Sequence, residues 1–194
     1  VCGLLSNHSI VCWGSDVNII PAVPSGSFVQ VSSGQYHACA IRTSAEYVCW
    51  GSTSGRPRST FVKQMVMADE TFGCVVYESG AVSCFGVAAG ALPAAVAGGD
   101  IAYMGVGQSN GCVLYSDPGT AFCWATFANP ELTDNVPADA LVDVFVSDNH
   151  ACGRTVDQRA VCWGRDISGS ILAPTEERFS QLCVGNGFSC GVSS

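Results

Sequence analysis

The chain has 194 residues, 48% hydrophobic and 12% charged, with sixteen acidic against eight basic side chains and a net charge of −8. This is the composition of a folded, weakly charged protein, outside the disordered class. An acidic chain without a Lys/Arg cluster lacks the basic stripe that nucleic-acid binding needs, and no apolar run reaches the ~18 residues of a membrane span.

From the N-terminus, Cys2 is followed by Asn7-His8-Ser9, an acceptor sequon for N-linked glycosylation at Asn7, and then by Cys12-Trp13-Gly14. No basic and apolar leader precedes them, so any signal peptide is expected to have been removed. A Pro/Ser/Gly-rich connection leads to the β-branched run Phe28-Val29-Gln30-Val31, a polar turn at Ser33-Gly34-Gln35, and His37-Ala38-Cys39-Ala40-Ile41. After a second turn comes Tyr47-Val48-Cys49-Trp50-Gly51. Arg56-Pro57-Arg58, with Lys63 beyond, is the densest basic stretch and reads as a solvated loop. The pattern returns as Cys74 with Cys84-Phe85-Gly86, Cys112 with Cys123-Trp124-Ala125, and Cys152 with Cys162-Trp163-Gly164, and Cys190 opens a further copy. Leading cysteines are thus 37, 35, 38, 40 and 38 residues apart.

Apolar runs of four to six residues bounded by turn formers read as strands, and no window shows a helical stripe. Three or four short strands per period of about forty residues mark propeller blades. The expected fold is therefore all-β, a disulfide-stapled β-propeller of five to seven blades in one domain spanning 1–194. The repeat units are 1–27, 28–63, 64–101, 102–140, 141–179 and a partial 180–194.

Twelve cysteines at regular spacing, none with the two-to-four-residue spacing of a zinc knuckle, point to disulfides in an oxidising, extracellular compartment and to no metal site. Antiparallel strands joined by a turn bring the two cysteines of a unit opposite one another. The expected pairs are Cys2–Cys12, Cys39–Cys49, Cys74–Cys84, Cys112–Cys123 and Cys152–Cys162. Cys183 lies outside the repeat, at the place taken elsewhere by Ser32, Met67, Gly105 and Phe145, and is expected to pair with Cys190 across a turn. The aromatics Trp13, Trp50, Phe85, Trp124 and Trp163 point away from the adjacent sulfur and should fill the gaps between blades rather than form a sugar-stacking ladder.

A unit such as Val31-Ser32-Ser33-Gly34-Gln35-Tyr36-His37-Ala38-Cys39-Ala40-Ile41, ending in Val48-Cys49-Trp50-Gly51, resembles the repeat of regulator-of-chromosome-condensation-type propellers. The paired cysteines resemble the extracellular repeats of plant crinkly-type receptor-like kinases. That resemblance implies a propeller, usually seven-bladed, acting as a receptor-like ectodomain or recognition module without catalysis or cofactor. The third and fourth units depart from it by losing the Trp-Gly ending.

His37 and His150 share a repeat position with Phe72, Asn110 and Phe188, which marks it as a packing position. The acidic pairs Asp69-Glu70 and Glu176-Glu177 would face opposite sides of a strand and make no acid/base pair. Four residues before each leading cysteine, however, stand Gln35, Glu70, Gln108, Asp148 and Asn186, all amides or carboxylates. Presented on one face of every blade, these turn residues would form a polar ring that hydrogen-bonds a ligand; alternatively they satisfy local backbone groups. The function expected is recognition of a protein or peptide. A carbohydrate-binding lectin, a propeller enzyme working through Glu70 and Asp148, or an inhibitor of another protein are the alternatives.

Overall fold

The computed structural model describes residues 1–14, 22–34, 37–51, 61–68, 72–85, 92–93, 96, 99–108, 110–117, 119–125 and 129–194. They form six small antiparallel sheets, each a run of neighbouring strands in chain order. The chain divides into two compact units, Val1–Gly90 and Ala91–Ser194.

In the first unit, β1 (Cys2–Leu4) pairs with β2 (Ile10–Cys12). The second sheet is β3 (Phe28–Ser33), β4 (His37–Arg42) and β5 (Tyr47–Gly51), and the third is β6 (Val62–Met67), β7 (Gly73–Tyr77) and β8 (Val82–Phe85). In the second unit, β9 (Ile101–Val106), β10 (Asn110–Tyr115) and β11 (Ala121–Ala125) form one sheet, and β12 (Leu141–Val146), β13 (His150–Thr155) and β14 (Ala160–Gly164) the next. The last sheet holds β15 (Phe179–Gly185) and β16 (Phe188–Ser193). In every sheet after the β1–β2 hairpin the first strand slips register at its second residue, as between Phe28 and Gln30 and between Leu141 and Asp143. A bulge repeated at one position twists each sheet in the same way.

A single turn of helix, α1 (Pro130–Asp134), lies between β11 and β12. Proline at its start fits the first helical turn, and Leu132 is fully buried. Five residues are too short to show the 3.6-residue stripe by which a helix is read from sequence, so this element was not foreseen.

Strand pairing places the two cysteines of each unit directly opposite, and five disulfides form: Cys2–Cys12, Cys39–Cys49, Cys74–Cys84, Cys112–Cys123 and Cys152–Cys162. Their Cα atoms are 4.0–4.1 Å apart. This is the close spacing of non-hydrogen-bonded pairs, where side chains approach most nearly.

Cys183 and Cys190 depart from expectation. They stand opposite one another in the register of β15 and β16, yet both are free thiols on an exposed face. The parity of the ladder explains the difference. Gly185 and Phe188 flank a two-residue turn and so form a hydrogen-bonded pair; two steps along, Cys183 and Cys190 form another. In such pairs the facing side chains stand farther apart than in the narrow pairs that carry the five bridges. The register also corrects one equivalence. The residue facing Cys74 across the first two strands is Val66, not Met67, and it is Val66 that corresponds to Ser32, Gly105, Phe145 and Cys183.

The Cys-aromatic-Gly signature also has a backbone reason. Gly14, Gly51 and Gly164 leave their strands at φ of 129°, 84° and 108°, a region that favours glycine. Ala125 ends its strand without a positive φ, so that unit has no need of glycine.

Apolar side chains collect between successive sheets. Within the first unit, Trp50 packs with Ile10, Phe28 and the Cys2–Cys12 bridge, and Phe85 with Cys39, Ile41, Met65 and Val75. Within the second, Trp163 packs with Cys112, Cys123, Leu114, Leu132 and Leu141. Each of these aromatics seals against the disulfide of the preceding sheet, as a gap-filler must. The indole N–H groups of Trp50 and Trp163 are buried without a hydrogen-bond partner, so these rings serve as apolar bodies. Trp13, by contrast, is 55% exposed.

Candidate functional site

The turns joining first to second strands bring together the side chains expected to form a polar row. In the second unit these are the β9–β10, β12–β13 and β15–β16 turns, which carry Gln108, Asp148 and Asn186. Gln35 and Glu70 lie outside the described residues.

Neighbouring turns touch. The backbone N–H of Gln108 donates to Asp148 Oδ1 at 2.9 Å, and Asn149 Nδ2 donates to Asn186 Oδ1 at 3.4 Å. Beneath them Asn110, almost fully buried, donates its amide to the carbonyl of Asp148 at 2.9 Å, and Asn129 reaches the same oxygen at 3.3 Å. Asp148 is thereby fixed from two sides. One carboxylate oxygen and the Asn186 amide oxygen are already used in turn-to-turn bonds, so these residues do part of the local backbone work that turn side chains commonly do. The Gln108 and Asn186 side chains are exposed, and Asp148 is half-buried. The outcome is a fixed row of amide and carboxylate groups, suited to hydrogen-bonding a polar or peptide surface.

The position two residues before the leading cysteine is a packing position, apart from its last copy. His37, Phe72, Asn110 and His150 are buried, whereas Phe188 is 56% exposed. His37 Nε2 lies 3.3 Å from Met67 Sδ in the next sheet. His150 makes a fuller network: Nδ1 lies 3.0 Å from Ser147 Oγ and Nε2 2.8 Å from Ser189 Oγ on β16. Ser189 Oγ donates to the carbonyl of Ser170 at 3.1 Å, which assigns the imidazole proton to Nε2. Burial holds the His150 pKa below its ordinary value, opposed by the nearby Asp166 carboxylate. The ring is a neutral link between two sheets, with its nitrogens occupied.

Sequence reasoning passed over Asp143 and Arg154, which face each other across β12 and β13. Arg154 grips Asp143 Oδ2 with Nε at 3.0 Å and Nη2 at 2.7 Å and extends Nη1 to the carbonyl of Phe179 at 3.4 Å. Tyr103 lies edge-on to Phe145 with ring centroids 6.0 Å apart, and burial, then the Asp143 carboxylate, raises its phenol pKa. The signal for the ion pair was there in an acidic and a basic residue on successive strands, but the ladder register counted back from the β12–β13 turn is needed to place them opposite.

Among the described residues, no three His, Cys, Asp or Glu side chains group as metal ligands, and no helix is long and apolar enough to cross a membrane.

No family model matches the chain. Its structure does match solved ones. The entire ectodomain of the Physcomitrella patens receptor kinase CR4 superposes with a TM-score of 0.80 at 21% identity, covering 99% of this chain and 57% of that one. The CRINKLY WD40 ectodomain of the Arabidopsis thaliana receptor kinase ACR4 gives 0.72 at 28% identity, over 100% of this chain and 73% of that one. Prp20p from Saccharomyces cerevisiae gives 0.73 at 15% identity, over 97% and 65%. The chain thus spans little more than half the length of the CR4 ectodomain. Five disulfides and the two ectodomain matches point to an extracellular setting. By its six antiparallel sheets, five of them disulfide-stapled, and by these matches, the chain has the fold of the RCC1-like propellers, in the form found in CRINKLY receptor-kinase ectodomains.

Proposed function

We propose that this chain is a non-catalytic recognition module that takes a protein or peptide ligand outside the cell, as a secreted protein or as part of an ectodomain. The observation that carries this reading is the match to two receptor-kinase ectodomains along the whole of this chain, with paired cysteines in every three-stranded sheet. The row Gln108, Asp148 and Asn186, with Gln35 and Glu70 at the equivalent sequence positions, supplies its ligand-facing groups. Supporting this, Asp148 is braced by Gln108, Asn110 and Asn129, so its carboxylate is preorganised at little further ordering cost.

The same reading makes Asn7 a carrier of an N-linked glycan. Asn7 is exposed in the β1–β2 turn, and its Oδ1 accepts from the Ser9 hydroxyl at 2.7 Å and the Ser9 N–H at 3.1 Å.

A secreted-peptide display library and a glycan array, screened against the same protein, test the proposal. Enriched peptides that bind one per chain and weaken at least about tenfold in Asp148→Ala, a loss of ~1.4 kcal/mol or more, would support it. Failure to enrich peptides, with several glycans bound per chain instead, would replace it with the lectin reading.

A further inference from the structure

We propose that the ligand of the Gln108, Asp148 and Asn186 row is a basic peptide segment, which sets an arginine or lysine side chain on the Asp148 carboxylate. This rests on the reading of the row as the ligand-facing surface and adds the chemistry of what it faces.

Charge is shared unevenly along the chain. Eleven of the sixteen acidic side chains but only four of the eight basic ones fall in Ala91–Ser194, which thus carries seven of the eight excess negative charges. Two of those four arginines are already committed, Arg154 to Asp143 and Arg159 to Asp157, each with a nitrogen 2.7 Å from a carboxylate oxygen. Among the described residues no basic side chain forms an ion pair with Asp148. A surface of this kind draws cationic partners and repels acidic ones.

The charge gathers around the Asp148 turn. Asn129, which donates to the Asp148 carbonyl, caps α1, and the exposed Glu131 stands in the first turn of that helix. The backbone N–H of Arg165 donates to the carbonyl of Asn149 at 2.9 Å, and the exposed Asp166 beside it acts on the charge of His150. Two further carboxylates thus border the turn, with Arg165 as the one cation there among the described residues.

The hydrogen bonds point the same way. The amides of Asn110, Asn129 and Asn149 and the N–H of Gln108 all donate within the row. What they leave open beside them accepts. Asp148 Oδ2 is one such group; below it is Asn110 Oδ1, on a residue 1% exposed and with no donor among the described residues. That oxygen lies under the β9–β10 turn, so close to Gly107 that a Cβ there would meet it at 2.3 Å. An uncompensated buried acceptor beneath a carboxylate deepens the negative potential of the row. Its complement is a cation with several N–H donors, whose bonds to a carboxylate are about twice as strong as neutral ones. The exposed amides of Gln108 and Asn186 remain for the peptide main chain on either side of it.

The test selects peptides from a random display library on the intact protein and sequences the bound pool. Arginine and lysine should be enriched over the input, and aspartate and glutamate depleted. One selected peptide is then compared with its citrulline counterpart, or acetyl-lysine for lysine, which keeps the shape and removes the charge. That change should weaken binding to wild type at least about tenfold, the scale of one hydrogen bond to a charged group. It should have almost no effect on Asp148→Asn, which keeps the acceptor for the Gln108 N–H. Asp117→Asn, at the far end of β10 from Gln108, should bind as wild type does. Peptides bound without a basic preference, or a citrulline effect that persists in Asp148→Asn, would overturn this proposal and leave the recognition reading standing. An equal loss in Asp117→Asn would do the same, by showing attraction to the acidic surface at large. Displacement of the peptide by calcium at constant ionic strength would overturn it by assigning the carboxylate to a metal ion. A library that yields no bound peptide would overturn both readings together.

Discussion

At the scale of single residues, His150 shows how a position that tolerates phenylalanine acquires a pH response. Its pKa in the fold is depressed chiefly by burial, so between that value and the unfolded one near 6.5 the unfolded chain binds more protons. Stability from this residue is therefore complete above about pH 6.5 and is lost as pH falls through the folded-state pKa. His150→Phe, which copies Phe72 at the same repeat position, should fold and should remove that part of the acid slope. Urea midpoints measured from pH 7.5 to 5 in both proteins check this; parallel profiles would show that His150 is not its source. Trp163 makes a complementary case. Its ring is buried against the Cys112–Cys123 bridge with an unpartnered indole N–H, so Trp163→Phe keeps most of the packing and leaves no orphan donor. Trp163→Ala should cost ~3–5 kcal/mol, and Trp163→Phe well under half of that. Equal losses in denaturant unfolding would mean that the N–H, not the apolar body, matters.

At the scale of strands and turns, how much could be read from the sequence depended on the distance over which each feature is determined. Hairpins are local: Cys39 and Cys49 are separated by ten residues, and strand period and turn residues suffice to place them opposite. The same holds for the aromatic beside the second cysteine, because alternation alone sends it to the other face. Finer properties require ladder parity. Cys183 and Cys190 face each other as the sequence indicates, but on a wide pair, and a β6–β7 connection one residue longer than its counterparts, Ala68 to Phe72 against Gly34 to His37, put Val66 where Met67 was expected. The polar turn residues were found because their position repeats. Their hydrogen bonds were not, because the Gln108-to-Asp148 contact joins residues forty apart on different sheets. A parity prediction belongs here. Cys152→Ser with Cys162→Ser removes a narrow-pair bridge that closes a loop of about ten residues and should cost ~2–3 kcal/mol. Cys183→Ser should cost almost nothing, since its thiol closes no loop in the fold. Thermal unfolding of the two variants distinguishes them, and a comparable drop in both would place a bond at Cys183.

At the scale of the whole molecule, the small sheets set the terms of stability. A three-stranded sheet of five- and six-residue strands buries little by itself, and repeat folds stand on nearest-neighbour interfaces and on whatever braces each repeat. Here the brace is covalent. Five short-loop bridges at ~2 kcal/mol or more each sum to roughly 10 kcal/mol, on the scale of the entire stability of an ordinary domain. Each bridge is also the floor on which a following aromatic can rest, so opening one loosens the gap it lines. Trp50 and Phe85 in the first unit, and Trp163 in the second, are seated in this way. Full reduction at neutral pH, without denaturant, should therefore unfold the protein, seen as loss of the near-ultraviolet tryptophan signal together with the β-sheet signal. Retention of both after complete thiol titration would mean that the apolar gaps alone hold the sheets, and that the bridges fix register and not stability. The expected result also bears on where such a protein works. A fold that depends on five cystines persists only where they stay oxidised, which suits the extracellular setting of the proposed recognition surface by the same chemistry that builds the sheets.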